Sequence, residues 1–66
     1  MKITINGQEK ELTDQVSLQE IIRQFYQNPK HAIAEVNGSI VKSINWQETD
    51  IQEGDIVELV SFVGGG

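Results

Sequence analysis

The dipeptide Asn-Gly occurs twice, at Asn6-Gly7 and Asn37-Gly38, each time between two short runs with strand character. Both residues tolerate the positive φ of a tight two-residue turn, so the pair is the strongest short-range hairpin signal. Met1 to Ile5 alternates apolar and polar, the period of a half-buried strand. Gln8 to Thr13 is the returning strand. Only Leu12 in it is strongly apolar, which predicts an edge strand, and Glu9, Lys10 and Glu11 discourage edge-to-edge pairing. Ala32 to Val36 and Ser39 to Val41 form the second hairpin. Gln52 to Asp55 is a turn. Ile56 to Phe62 follows as the most apolar strand, and its near-continuous run predicts a central position.

Between the hairpins lies a single helical stripe. Ser17-Leu18-Gln19-Glu20 is a capping box, with the Ser17 hydroxyl accepting from the Glu20 N–H and Glu20 reaching back to the Ser17 N–H. Val16 and Ile21 are spaced as a hydrophobic staple. Leu18, Ile21, Ile22 and Phe25 fall at i, i+3, i+4 and i+7, one apolar face of a helix. Asn28-Pro29 ends it, because the residue before proline is disfavoured in helical conformation. The helix is therefore roughly ten residues long. Ser43 to Gln52 reads as irregular, with Ile44, Trp46 and Ile51 as inward anchors.

Hairpin, helix, hairpin, strand is an α+β order. One amphipathic helix must cover one face of a mixed four- to five-stranded sheet. If the first and last strands are adjacent they run parallel, which is the ubiquitin-like β-grasp. A ferredoxin-like βαββαβ arrangement needs a second helical stripe, and the sequence has none.

The chain has 66 residues, and one this short hides only about 60% of its unfolded surface, enough for a single core. No apolar run approaches the ~20 residues of a spanning helix. Met1-Lys2-Ile3-Thr4 lacks the apolar stretch of a signal peptide. The net charge of −5 repels phosphate backbones and anionic lipid, so neither nucleic acid nor membrane is expected as a partner. There is no cysteine and only one histidine, which excludes disulfides, thiol chemistry and a His-rich metal site. A small secreted scaffold needs staples, so the expected location is cytoplasmic.

No side-chain set for catalysis is legible: no Cys–His pair, no Ser–His–Asp set, no phosphate-binding glycine loop. Glu48, Asp50, Glu53 and Asp55 cluster at a turn without calcium-loop spacing, so no metal is expected. His31 reads as a loop side chain and Trp46 as packing. Acyl carriers bear their cofactor on a serine directly preceded by Asp, whereas Val16 precedes Ser17, and their helical fold conflicts with two hairpins. Capping accounts for Ser17.

The tail, Val63-Gly64-Gly65-Gly66, carries the chemistry. Residues 1–63 are expected to form the domain and 64–66 a flexible glycine tail. Ordering glycine costs the most backbone entropy, and here no strand follows that would need a turn. Three residues beyond the sheet reach about 10 Å. A terminal carboxylate on such a thread can pass a narrow channel. Converted to an acyl-adenylate by ATP, it becomes an acyl donor. Sulfide or persulfide then gives a thiocarboxylate, and a lysine amine gives an isopeptide.

The chain resembles the ThiS family of sulfur carriers of thiamine biosynthesis. The resemblance rests on Met1 to Gly7, on Val36-Asn37-Gly38-Ser39-Ile40-Val41, on Trp46, on Glu53 to Leu59 and on Phe62 to Gly66. It implies a β-grasp fold and a carrier rather than an enzyme. It implies adenylation of Gly66 by an E1-like enzyme that uses ATP, with no cofactor bound to the carrier. A sulfur donor of the cysteine desulfurase type then makes the thiocarboxylate, and thiazole synthase receives the sulfur. Gly65 completes the usual diglycine and Gly64 is an extra residue beside it. Val60, Phe62 and Val63 are the expected partner-binding residues: if Val57 and Leu59 face the helix, alternation turns Val60 and Phe62 to the outer sheet face. The small subunit of molybdopterin synthase shares the fold and the diglycine. A ubiquitin-like modifier or plain interaction module is the remaining alternative.

Overall fold

Both Asn-Gly pairs close two-residue hairpins. In the computed structural model, which describes residues 1–26 and 29–61, Asn6 and Asn37 have φ of 50° and 53° and Gly7 and Gly38 have φ of 81° and 87°. These left-handed values are where Asn and Gly cost least. The first turn joins β1 (Lys2–Ile5) to β2 (Gln8–Glu11), and the second joins β3 (Ala32–Val36) to β4 (Ser39–Val41). The last strand, β5 (Ile56–Ser61), lies between the hairpins, giving the order β2-β1-β5-β3-β4. β5 runs parallel to β1 and antiparallel to β3. Five mixed strands and one helix form the β-grasp, with β2 at an edge and β5 central, as the sequence predicts.

The helix α1 (Leu18–Phe25) starts where its cap is. The Ser17 hydroxyl accepts from the Glu20 N–H at 3.3 Å. The reciprocal half of the capping box is not made. The stretch before the helix pairs instead with the long connection that precedes β5: Leu18 N–H donates to Thr49 O at 2.7 Å and Ile51 N–H donates to Val16 O at 2.9 Å. The helix is eight residues long rather than ten and stops before the Asn28-Pro29 pair. Tyr26 is already extended, with φ −138° and ψ 131°, although its N–H still reaches Ile22 O. Asn28 lies outside the described residues. A short 3₁₀ turn, Pro29–His31, leads into β3.

The core is one layer of helix against one face of the sheet. Ile3, Ile5, Ala34, Val57 and Leu59 come from the sheet, and Leu18, Ile21 and Ile22 from α1. Trp46 and Ile51 close it from the long connection, and Trp46 Nε1 donates to Val41 O at 2.8 Å. Two expected anchors are not in it. Phe25, the last stripe position, is 38% exposed at the helix end, with the Lys10 ammonium 5.6 Å above its ring. Tyr26, just past the helix, packs on the core instead. Ile44 is 82% exposed. It lies in a second 3₁₀ turn, Ser43–Asn45, and three residues per turn bring Trp46 inward while rotating Ile44 away.

Candidate functional site

β5 immediately precedes residues 62–66 in the sequence, so how β5 is held fixes where they begin. β1 pairs with β5 only as far as Ile5↔Val57, after which β1 turns away. Asn6 continues the ladder through the turn. Its backbone N–H donates to Val57 O at 2.9 Å, and its Oδ1 accepts from Leu59 N–H at 2.7 Å. Asn37 does the same on the other side. Its N–H donates to Ile56 O at 2.8 Å and its Oδ1 accepts from Ile56 N–H at 2.9 Å. Its Nδ2 donates to Asp55 Oδ1 at 3.0 Å, while Asp55 Oδ2 accepts from Gln52 N–H at 2.7 Å. The two turn asparagines therefore brace β5 from both flanks.

These roles escape sequence reasoning. Asn-Gly announces a turn, but the oxygen of each Asn finds its partner 53 and 19 residues away. The only local hint is that an Asn amide can stand in for a backbone group.

Val57 and Leu59 do face the helix, and alternation turns Ile56, Glu58 and Val60 to the opposite face of the sheet. Val60, an expected partner-binding residue, is 53% exposed there, directly opposite Ile33. Ile56 and Ile40 share this outer face, at 51% and 67% exposure. In the adjoining row Ile40, Glu35 and Glu58 lie side by side across β4, β3 and β5. The other expected site residues, Phe62, Val63, Gly64, Gly65 and Gly66, lie outside the described residues.

The acidic turn before β5 has structural work. Asp55 braces Asn37 and the turn, and Glu53 Oε2 accepts from Lys2 N–H at 3.1 Å. Among the described residues no three His, Asp or Glu side chains converge as metal ligands, and no helix is long and apolar enough to cross a membrane.

The model of the ThiS family matches residues 3–66. An uncharacterized protein of Trieres chinensis, ycf40, is 36% identical over 62 residues, covering 94% of this chain and 85% of its own length. The sulfur carrier protein ThiS of Bacillus subtilis is 29% identical over 65 residues, covering 97% and 98%. A thiazole synthase of Paramagnetospirillum magneticum is 27% identical over the whole chain, which spans 20% of that longer protein. The crystal structure of the thiamine biosynthesis protein ThiS from Geobacter metallireducens superposes over the full length of both chains, with a TM-score of 0.89 at 25% identity.

Proposed function

The chain belongs to the ThiS family, and from that premise we propose that its working group is the main-chain carboxylate of Gly66. The chain is a sulfur carrier of thiamine biosynthesis, not a catalyst. The observation that carries this reading is the extent of the family match, which runs through the glycines to residue 66. The braced β5 supports it: a strand held on both flanks gives the tail that follows a fixed root.

The chemistry follows from what a carboxylate lacks. Its oxygen is a poor leaving group. An E1-like enzyme binds ATP, the Gly66 oxygen attacks the α-phosphorus, and pyrophosphate leaves. Sulfur then attacks the carbonyl carbon of the adenylate and AMP leaves. Sulfide gives the thiocarboxylate directly. A persulfide from a cysteine desulfurase system gives an acyl disulfide, whose S–S bond a second thiol cleaves. Gly64 and Gly65 carry no Cβ, so the thread fits a narrow channel. Thiazole synthase receives the sulfur. That one thiazole synthase contains a stretch similar to this entire chain supports the pairing, since fusion holds carrier and acceptor at high effective concentration. The need for ATP supports the expected cytoplasmic location.

The test is intact-mass analysis after incubation with ATP, the E1-like enzyme and a sulfur donor. One oxygen should be replaced by sulfur, and deleting Gly64, Gly65 and Gly66 together should abolish the exchange. An unchanged mass in the full chain refutes the proposal.

A further inference from the structure

Asn-Gly is the dipeptide in which an asparagine is chemically least secure. The backbone nitrogen of the next residue can attack the side-chain Cγ, and glycine has no Cβ to hinder the approach. The chain has this pair twice, and in both the asparagine side chain holds β5. Both turns lie open to water: nothing stands within 4 Å of where a Cβ would sit on Gly7 or Gly38. The central strand is therefore braced by two hydrolysable amides. What separates the two sites is Asp55. Asn37 is held by its N–H on Ile56 O at 2.8 Å, by its Oδ1 on Ile56 N–H at 2.9 Å and by its Nδ2 on Asp55 Oδ1 at 3.0 Å. Asp55 is itself fixed, its Oδ2 accepting from Gln52 N–H at 2.7 Å. Among the described residues Asn6 Nδ2 donates to no carboxylate.

We propose that Asn37 is a latent deamidation site, that Asp55 guards it in the folded chain, and that its conversion weakens the brace on the β3 flank of β5. The reaction needs only water. Gly38 N bonds to Asn37 Cγ, its proton passes to Nδ2, and ammonia leaves, closing a five-membered succinimide. Water then opens the ring at one of its two carbonyls. Cleavage of the new Cγ–N bond gives aspartate. Cleavage of the original C–N bond gives isoaspartate, in which the main chain runs through Cγ. Asp55 opposes closure in two ways. Swinging Cγ toward Gly38 N breaks the bonds to Ile56 and Asp55. Attack also builds negative charge on Oδ1, and the neighbouring carboxylate raises the energy of that charge. After conversion the same neighbour turns against the fold, because the new carboxylate has lost the Nδ2 donor and meets a like charge. Isoaspartate adds a main-chain atom to a two-residue turn whose φ values of 53° and 87° suit Asn and Gly. The reaction is irreversible, so converted chains accumulate with the time the turn spends open.

The experiment holds the full chain, as wild type and as Asp55→Asn, at mildly alkaline pH with and without denaturing urea. Peptide mapping by mass spectrometry follows the exchange of NH₂ for OH at each Asn-Gly pair. In the folded wild type Asn37 should convert at least about tenfold more slowly than in urea. Asp55→Asn should raise the folded rate at Asn37 about tenfold, the factor carried by one charged hydrogen bond, and the rate at Asn6 by less than about twofold. Asn6 is the internal control, since a variant that merely unfolds more often speeds both sites. The chain converted at Asn37, separated by its extra negative charge, should have a urea midpoint lower by about 1 M or more. The proposal is overturned if Asn37 converts as fast folded as in urea, if Asp55→Asn leaves its rate unchanged or speeds both sites alike, or if the converted chain keeps the wild-type midpoint.

Discussion

Replacing Asn37 by aspartate exchanges one NH₂ group for oxygen, and the structure predicts an effect far larger than that difference suggests. The clamp on Ile56 N–H survives, because a carboxylate accepts as well as an amide does, and Asp tolerates the left-handed φ of 53°. What changes is the 3.0 Å contact from Nδ2 to Asp55 Oδ1. A hydrogen bond donated to a charged group, worth about 1.5 kcal/mol, is lost. Two carboxylates then face each other at the same spacing in a solvent-exposed setting, which adds about 1.5 kcal/mol in high dielectric. The sum is about 3 kcal/mol, a large share of the ~3–10 kcal/mol expected for a domain of this size. With an m-value near 1 kcal/mol/M, the urea midpoint should fall by about 2–3 M, followed by Trp46 fluorescence. Asp55→Asn alone should cost about 1 kcal/mol, because its amide cannot accept from both Gln52 N–H and Asn37 Nδ2. Combining the two exchanges donor and acceptor across the contact and should return stability to within about 1 kcal/mol of the wild type. The bracing role of Asn37 and Asp55 is refuted if Asn37→Asp lies within about 0.5 kcal/mol of the wild type, or if Asp55→Asn fails to rescue it.

Ser17→Ala should cost about 1 kcal/mol by urea denaturation, because it removes the hydroxyl that caps α1. Glu20→Gln should cost only about 0.3 kcal/mol, the helix-dipole share, since the return bond to Ser17 is not made; equal losses would restore the two-sided capping box. Ile51→Ala, at a fully buried site, should lower stability by about 3 kcal/mol. Ile44→Ala, at a site 82% exposed, should stay within about 0.5 kcal/mol in the same assay. Similar losses for both would mean that Ile44 packs inward after all.

Much of the fold is written in local pattern. Asn6-Gly7 and Asn37-Gly38 fix two turns by backbone sterics alone, and a hairpin register follows from its turn. Ser17 marks the helix start because an orphan N–H needs an acceptor. Ile56 to Ser61 declares its helix-facing residues by simple alternation. Apolar character and spacing do not say where a helix ends or how an irregular segment turns. Phe25 fits the stripe, but the helix stops there and leaves its ring at the rim. Ile44 is as apolar as Ile51, but a 3₁₀ turn directs it to solvent.

Sequence by itself therefore determined the five strands, the start of the helix, the two hairpin turns and the inward face of β5. Each is governed by contacts within a few residues or by the covalent chain. Tertiary structure alone decided that two distant asparagines brace β5 and that Asp55 locks one of them. It also decided that Glu35 and Glu58 meet amid Ile33, Ile40 and Val60. Those relations join residues from separate hairpins, and they exist only once β5 is threaded between them.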